Sequence, residues 1–389
     1  MAAIFAAMSG EKVRLFDPNG RVGQKLRITG KGRCNLTNDC SRDEFMDNMT
    51  ANGRFLYSAF GVLPPREVMR LFEEWGVPLK TERGRRVFPA SDDARDVAAA
   101  LESRLSELGV RVEKRRVTGL RIENKKLVGA DIDGQAVSAD RVIVATGGLS
   151  YPATGSGGGY ALARQAGHTV TPLLPSLCPL LSDDPCCPQM QGLSLKNVMF
   201  SLYGNGKRLF AEQGEMLFTR EGLSGPLVLS ASAHMRGPGP YRAAIDLKPA
   251  LTTEQLDARL LRGLAASPNK DMVNLAAELF PRLMIPVMLE RAGIPERVKA
   301  NAVTRAQRAE LLRHIKNFEV DITGFAPIEQ AVVTNGGVSV KEIDPKTMRS
   351  KLIGGLYFAG EVLDLDAYTG GYNLQIAWCT GACAGAIDN

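Results

Sequence analysis

The sequence predicts a mixed α/β protein in which one discontinuous α/β domain is interrupted by an inserted domain. Three observations point there. Glycine is over-represented, 40 of 389 residues, and clusters in three loops, at 20–38, 145–160 and 354–386. The apolar run RVIVAT (141–146) leads into the second of those loops and suits a buried parallel strand. From about residue 172 the texture changes, with prolines at 172, 175, 179, 185 and 188 followed by short alternating segments, and the glycine-rich texture returns near 330. The discontinuous domain is therefore placed at 1–172 and 331–389 and the insertion at 173–330. Within the insertion, 173–250 and 318–330 read as a small antiparallel barrel, and 251–317 as a mainly helical part.

Taken in order, residues 1–9 read as a helix closed by Gly10, and 12–16 as a strand ending in Asp17. Helix, tight turn, strand and terminal acid make the second half of a βαβ nucleotide-binding unit, where the acid lies ~20 residues beyond the phosphate-binding glycines. Counting back places those glycines before Met1, so the opening strand and its glycine loop are expected to be absent from this chain. Helices follow over 64–75 and 93–108, the second stopped by Gly109. Strands are expected near 110–114, 117–123 and 126–132, and a short helix over 158–167. The alternating segments 193–203, 207–212 and 241–247 supply the inserted sheet. The segments LDARLLRGLAA and RAQRAELLRHIKNF are its amphipathic helices. Near the end, LYFA (356–359) reads as a strand and a helix begins near Tyr372.

Composition narrows the function. Hydrophobic residues are 44% and charged residues 23%, ordinary values for a soluble globular protein. No apolar run approaches the ~18 residues of a membrane span, and MAAIFAAMSG lacks the basic start of a signal peptide. Seven cysteines form no CxxC pair and the three histidines are far apart, so no metal site is expected. Reduced thiols point to a cytoplasmic location. The net charge of +6 suits an anionic small-molecule ligand. It is too mild to call for nucleic acid, which is not expected as a partner. Gly-Lys at 30–31 and 206–207 is not followed by Ser or Thr, so there is no Walker A loop, and neither HExxH nor GxSxG occurs.

The three glycine loops carry the candidate chemistry. The first, GRVGQKLRITGKGRCNLTN (20–38), has five basic residues, Arg21, Lys25, Arg27, Lys31 and Arg33, and no acid. It reads as an anion cradle or as a solvated basic loop. Cys34 lies within it, where surrounding positive charge would favour the thiolate. The second, ATGGLSYPATGSGGGY (145–160), follows a strand and precedes a helix, the place where α/β proteins bind ligands. It misses the G-x-G-x-x-G register, since Tyr160 takes the third glycine position after Gly155 and Gly157. The third segment, 354–386, runs from a strand through Gly360-Glu361 to Thr369-Gly370-Gly371 and a helix start at Tyr372-Asn373. Such a helix start gathers unpaired N–H groups and partial positive charge, suited to a developing anion.

GQKLRITGKGRCNLTN (23–38) resembles the G-x-K-x-x-x-[ST]-G-x-G-R-C-N-x-T-N segment of the YhiN/BaiN-like FAD-binding flavoproteins, whose members are labelled aminoacetone oxidase or bile-acid dehydro-reductase. The likeness continues in ATGG (145–148), PATGSGGGYALARQAGH (152–168), GEMLFTREGLSGP (214–226) and the long segment 334–378. It implies a discontinuous Rossmann-like FAD-binding domain with an inserted β-barrel plus helical domain. Carried over motif by motif, it implies that Asp17 takes the adenosine ribose, that Lys25, Gly30, Arg33, Cys34 and Asn35 lie beside the cofactor, and that Val117 touches the adenine. It places Thr146 and Gly147 on the pyrophosphate side, Gly360 and Glu361 at the ribityl and phosphates, and Gly371, Tyr372, Asn373 and Leu374 around the flavin ring. The front of the family pattern, its strand and glycine loop, is expected to lie before Met1 and to be absent from this chain.

The expected function is that of an FAD-dependent oxidoreductase passing a hydride between NAD(P)H and a small organic substrate through flavin N5. No general acid or base is assigned, Tyr372 being a candidate by position only. Two alternatives stand beside it: an FAD-dependent amine oxidase using oxygen, and an inactive or apo fragment acting as an interaction module.

Overall fold

A computed structural model describes the chain except residues 155, 156 and 387–389, so Gly155 of the second loop lies outside the described residues. Two compact units are present: Met1–Ser176 with Ile328–Asn389, and Leu177–Pro327.

The first unit opens with α1 (Ala2–Met8) and β1 (Leu15–Phe16), then β2 (Thr37–Asn38), α2 (Arg42–Asp47), α3 (Tyr57–Val62) and α4 (Pro65–Glu74). The helix starts are chemically marked. Ser41 and Glu44 close a capping box on α2, and Pro65 takes the first position of α4. β3 (Leu79–Glu82), β4 (Arg86–Pro89) and α5 (Ala94–Glu107) follow, α5 being capped by Asp93. Then come β5 (Val112–Glu113), β6 (Val117–Glu123), β7 (Lys126–Ile132), β8 (Gln135–Ser138), β9 (Val142–Val144), α6 (Gly159–Gln165) and β10 (Leu174–Ser176).

The second unit contains β11 (Leu180–Leu181), α7 (Cys186–Gln189), β12 (Ser194–Gly204), β13 (Lys207–Thr219), β14 (Gly222–Ser224), α8 (Pro226–Ser232) and β15 (Tyr241–Asp246). Four helices follow, α9 (Thr253–Ala266), α10 (Met272–Ala276), α11 (Ile285–Arg291) and α12 (Arg305–Lys316), before β16 (Phe318–Ile322) and β17 (Gly324–Phe325). Its strands form one antiparallel sheet in the order β16-β15-β12-β13-β14-β11-β17. The edge strands are neighbouring pieces of chain on either side of Thr323, whose N–H turns to Leu181 O at 2.9 Å. No ladder joins those edges among the described residues, so the sheet is not a closed barrel.

Back in the first unit, β18 (Val333–Asn335), β19 (Leu356–Phe358) and α13 (Tyr372–Gly385) complete the chain. Two parallel pairs, β1 with β5 and β9 with β19, give this unit its Rossmann-like α/β character. Antiparallel sheets β2-β4-β3 and β6-β7-β8 and the pair β10-β18 surround them. The expected strand at 12–16 forms only over Leu15–Phe16, and the run at 141–146 only over Val142–Val144.

The core of this unit is organised by α13, eleven of whose fourteen residues are buried. A helix apolar on all sides belongs in an interior, and its glycines, alanines and cysteines let neighbours approach closely. A Cβ on Gly385 would lie 2.3 Å from Ala2 O in α1. At the same end Arg141 donates to Ala384 O (2.9 Å) and Ala386 O (3.1 Å), a cation on the carbonyl end of a helix.

Two predictions follow from this packing. Gly385→Ala forces α1 away from α13 and lowers stability by about 1–3 kcal/mol, read as a drop in thermal midpoint; an unchanged midpoint contradicts the close approach. His168 is buried against Phe358, with Nε2 2.7 Å from Ser350 Oγ and Nδ1 3.1 Å from Glu342 Oε2. Burial lowers its pKa from the usual 6.5, against the opposing pull of Glu342. The unfolded chain therefore takes up the proton first, so this contribution is complete above pH 6.5 and is lost as pH falls below it. The unfolding free energy from urea titration should fall between pH 7.5 and 5.5, and His168→Gln should reduce that fall by up to about 1.4 kcal/mol.

Candidate cofactor and active site

Parallel strands end on a common side, and the loops leaving them are where the candidate residues sit. Asp17 directly follows β1, Thr146 and Gly147 lie just beyond β9, and Gly360 and Glu361 just beyond β19, which pairs in register with β9 (Val144 opposite Phe358). Asp17 is half-buried and accepts the N–H of Asn19 through Oδ1 (2.7 Å), while Asn19 reaches Thr154 O at 2.9 Å. Thr146 Oγ1 accepts the Gly159 N–H at the start of α6 (3.1 Å), and Gly147 adopts φ +73°. Val117 opens β6 opposite Ile132 and packs against the core of this unit.

Lys25 and Glu361 meet across 336 positions of sequence. The Lys25 ammonium donates to Glu361 Oε2 and to Ser150 Oγ, both at 2.6 Å. Glu361 Oε1 in turn accepts the Thr334 N–H (2.9 Å), and Thr334 Oγ1 accepts the Leu149 N–H (2.7 Å). The pair is largely shielded, with 22% and 19% of the two side chains exposed. Ser150 and Thr334, both buried, complete this cluster and were not foreseen; their partner lies too far along the chain for any local pattern to reveal.

The third cluster surrounds the start of α13. Gly371 adopts φ +96°, and a Cβ there would lie 2.3 Å from Thr37 O, so only glycine lets β2 cross the helix start. Asn35, oriented to satisfy its neighbours, accepts the Gly371 N–H (3.0 Å) and donates to Thr37 O (3.1 Å) and Val87 O (3.2 Å). Gly30 stands against this residue, 3.1 Å separating its virtual Cβ from the Asn35 N. Asn373 clamps the preceding loop by accepting the Ala367 N–H (3.0 Å) and donating to Ala367 O (2.8 Å). Gly360 is tied to the same helix by its N–H on Thr380 Oγ1 (2.9 Å). No side chain caps α13, and the N–H groups of Tyr372, Asn373 and Leu374 have no partner among the described residues. The Tyr372 ring meets Phe45 edge-on, and burial pushes its phenol up to about 12.

The first loop's charge is not free. Arg21 and Arg27 share Glu102, Lys25 holds Glu361, and Arg33 is held by Glu82 and Asp92 while stacking 4.2 Å over Phe88. Of the five basic side chains, only Lys31 has no carboxylate partner among the described residues. Arg33 is thereby drawn to a surface acid cluster. Cys34 is fully buried, and burial pushes its thiol up to about 12 against a hydrogen bond with Thr29. The favoured thiolate expected there is thus corrected: desolvation outweighs the positive charge nearby.

Removing one member of the shielded pair leaves the other without its counter-charge. Lys25→Met should cost about 1–3 kcal/mol, and a cycle with Glu361→Gln should return a coupling of similar size in urea denaturation. Additive losses would show that the two charges do not interact.

The HI0933-like protein Rossmann domain matches residues 1–387. A 3-dehydro-bile acid delta(4,6)-reductase from Clostridium scindens is 34% identical, covering 99% of this chain and 95% of that protein. A ribosomal RNA dihydrouridine synthase from Escherichia coli is 29% identical over 97% of this chain and 92% of its own length. A protein of that name from Haemophilus influenzae is also 29% identical, over 98% and 94%. Among solved structures, a 3-ketosteroid-delta4-(5alpha)-dehydrogenase from Rhodococcus jostii covers 99% of this chain and 92% of its own at 16% identity, with a TM-score of 0.44. A match over nearly the entire length, joined to a relative above 30% identity, shows that the chain belongs to the HI0933-like Rossmann family and is a flavin-dependent oxidoreductase.

Proposed function

We propose that the protein is an FAD-dependent reductase that uses NAD(P)H to saturate a carbon–carbon double bond conjugated to a carbonyl in a small organic substrate. The observation that carries this reading is the uncapped start of α13, where three N–H groups converge with no side chain to satisfy them. An unsatisfied helix start beside a buried core is costly unless an acceptor completes it. The electron-rich pyrimidine edge of a flavin is such an acceptor, and the match tightens as that edge gains negative charge.

The other residues fit the same group. Asp17 spends one carboxylate oxygen on Asn19 and keeps the other for a ribose hydroxyl. Lys25 and Glu361, locked by Ser150 and Thr334, hold the loops after β9 and β19 in place around the ribityl and phosphate portion. Asn35 and Asn373 orient the helix start without contributing charge. Bound FAD supplies a two-electron centre that can take up and release a hydride equivalent. The overall reaction consumes one NAD(P)H, one proton and the double bond, and yields NAD(P)⁺ and the saturated product. Tyr372, whose phenol stays protonated at neutral pH, is our candidate, by its position at the start of α13, for holding that proton.

Support for the substrate class comes from the relatives: a delta(4,6)-reductase acting on a 3-dehydro-bile acid and a synthase of dihydrouridine both describe saturation of a double bond near a carbonyl. A second reading keeps this chemistry and moves it to uridine in RNA, supported by the two relatives with that name.

Purified protein should show flavin absorbance, bleach anaerobically on NADPH, and regain colour on addition of a steroid 4-en-3-one. Bleaching by small amines but not by NADPH would turn the reading to an amine oxidase. A colourless protein that ignores added FAD would turn it to an interaction module.

A further inference from the structure

While four of the five cations of the 20–38 loop are paired with carboxylates from elsewhere in the chain, a second basic element near α13 keeps two guanidiniums without one. Strands β3 and β4 are joined by a tight turn, Arg83-Gly84-Arg85, with Arg86 opening β4, and all four residues are exposed. Arg85 adopts φ +57°, a backbone conformation that suits glycine or asparagine better. Its place is fixed from below. Asn38, only 2% exposed, donates through Nδ2 both to Gly84 O (3.0 Å) and to Gly370 O (2.9 Å). One buried amide therefore ties the turn to the loop that opens α13.

The acids around the turn are already engaged. Glu82 is held by Arg33, Asp39 by Arg66, and Glu44 both closes the cap of α2 and pairs with Arg85. The Arg83 guanidinium has no hydrogen bond or ion pair among the described residues. Arg86 donates only to its own turn, at Arg83 O (3.0 Å). Two guanidiniums without a carboxylate partner among the described residues, Arg83 and Arg86, the latter 5.9 Å over the Phe88 ring, thus flank a turn whose Gly84 carbonyl is tied to the loop that opens α13. Guanidinium forks match the paired oxygens of carboxylate and phosphate.

We propose that the Arg83–Arg86 turn is an anion clamp of the active site: it grips an oxyanion, carboxylate or phosphate, that the substrate carries away from its reducible bond. The inference rests on the reductase reading above and adds the charge that the substrate must bear. Clamping one end of the substrate aligns the other, so the turn determines specificity.

The test uses the FAD-loaded full chain and three probes: 3-oxochol-4-en-24-oic acid, its uncharged methyl ester, and a short uridine-rich RNA. Affinities are compared for the wild type, the double variant Arg83→Gln/Arg86→Gln, and Lys207→Gln, an exposed charge on a hairpin of the other unit. The double variant should lose about tenfold or more in affinity for a charged probe. Its thermal midpoint, its binding of the ester and the behaviour of the Lys207 variant should stay unchanged. Loss for the acid alone identifies a carboxylate, and loss for the RNA alone identifies a phosphate. The proposal is overturned if charged probes bind the double variant within about twofold of wild type, if the wild type binds neither, or if ester and acid weaken equally. Flavin bleaching by NADPH is read on the same samples, so a failed redox reading remains distinguishable from a failed clamp.

Discussion

The buried helix at the end of the chain constrains everything around it. A helix with almost no solvent-facing side cannot leave its polar side chains to water, so each must find a fixed partner. α13 finds several of them in the first 63 residues. Trp378 Nε1 donates to Leu36 O, the Thr37 hydroxyl donates to Gln375 Oε1, and Gln375 Nε2 donates to Leu63 O, at 2.9, 2.6 and 2.7 Å. Glycine at 371 and 385 brings β2 and α1 to the helix backbone itself. The two ends of the sequence are thereby locked into one body, and the helix start is delivered to the loops that follow the parallel strands.

This lock has an electrostatic consequence. Four of the five cations in the 20–38 loop are consumed in joining that loop to α5, to Glu361 and to the β3–β4 region. They build the site rather than fill it. Beside Lys31, the groups we propose for a ligand are weaker and more directional: three backbone N–H groups at α13, one oxygen of Asp17, and two guanidiniums on an exposed turn. Such a set distinguishes charge distribution along a molecule instead of attracting any anion.

Local chemistry made part of this legible in the sequence. The helices at 65–74 and 94–107 announce themselves by a proline start, an aspartate cap and a following glycine. The glycines of 354–371 mark a strand-to-helix loop whose helix begins at Tyr372, where it was expected. The resemblance to flavoproteins supplied candidate residues but not their contacts. Lys25 was read as a ligand for an anion, yet it is bound to a carboxylate that sequence distance concealed. Cys34 was read by the charge of its neighbours in the chain, and burial, which no local pattern reports, reversed that. The inserted strands were visible as alternating segments, but whether their sheet closes depends on the change of partner at Thr323, a matter of three dimensions.

The position of the flavin is therefore decisive. A crystal structure of the FAD-loaded protein tests it most directly. The pyrimidine edge of the ring should sit on the Tyr372–Leu374 amides, with the adenosine ribose at Asp17. A ring bound elsewhere, with those amides turned to water, would contradict it.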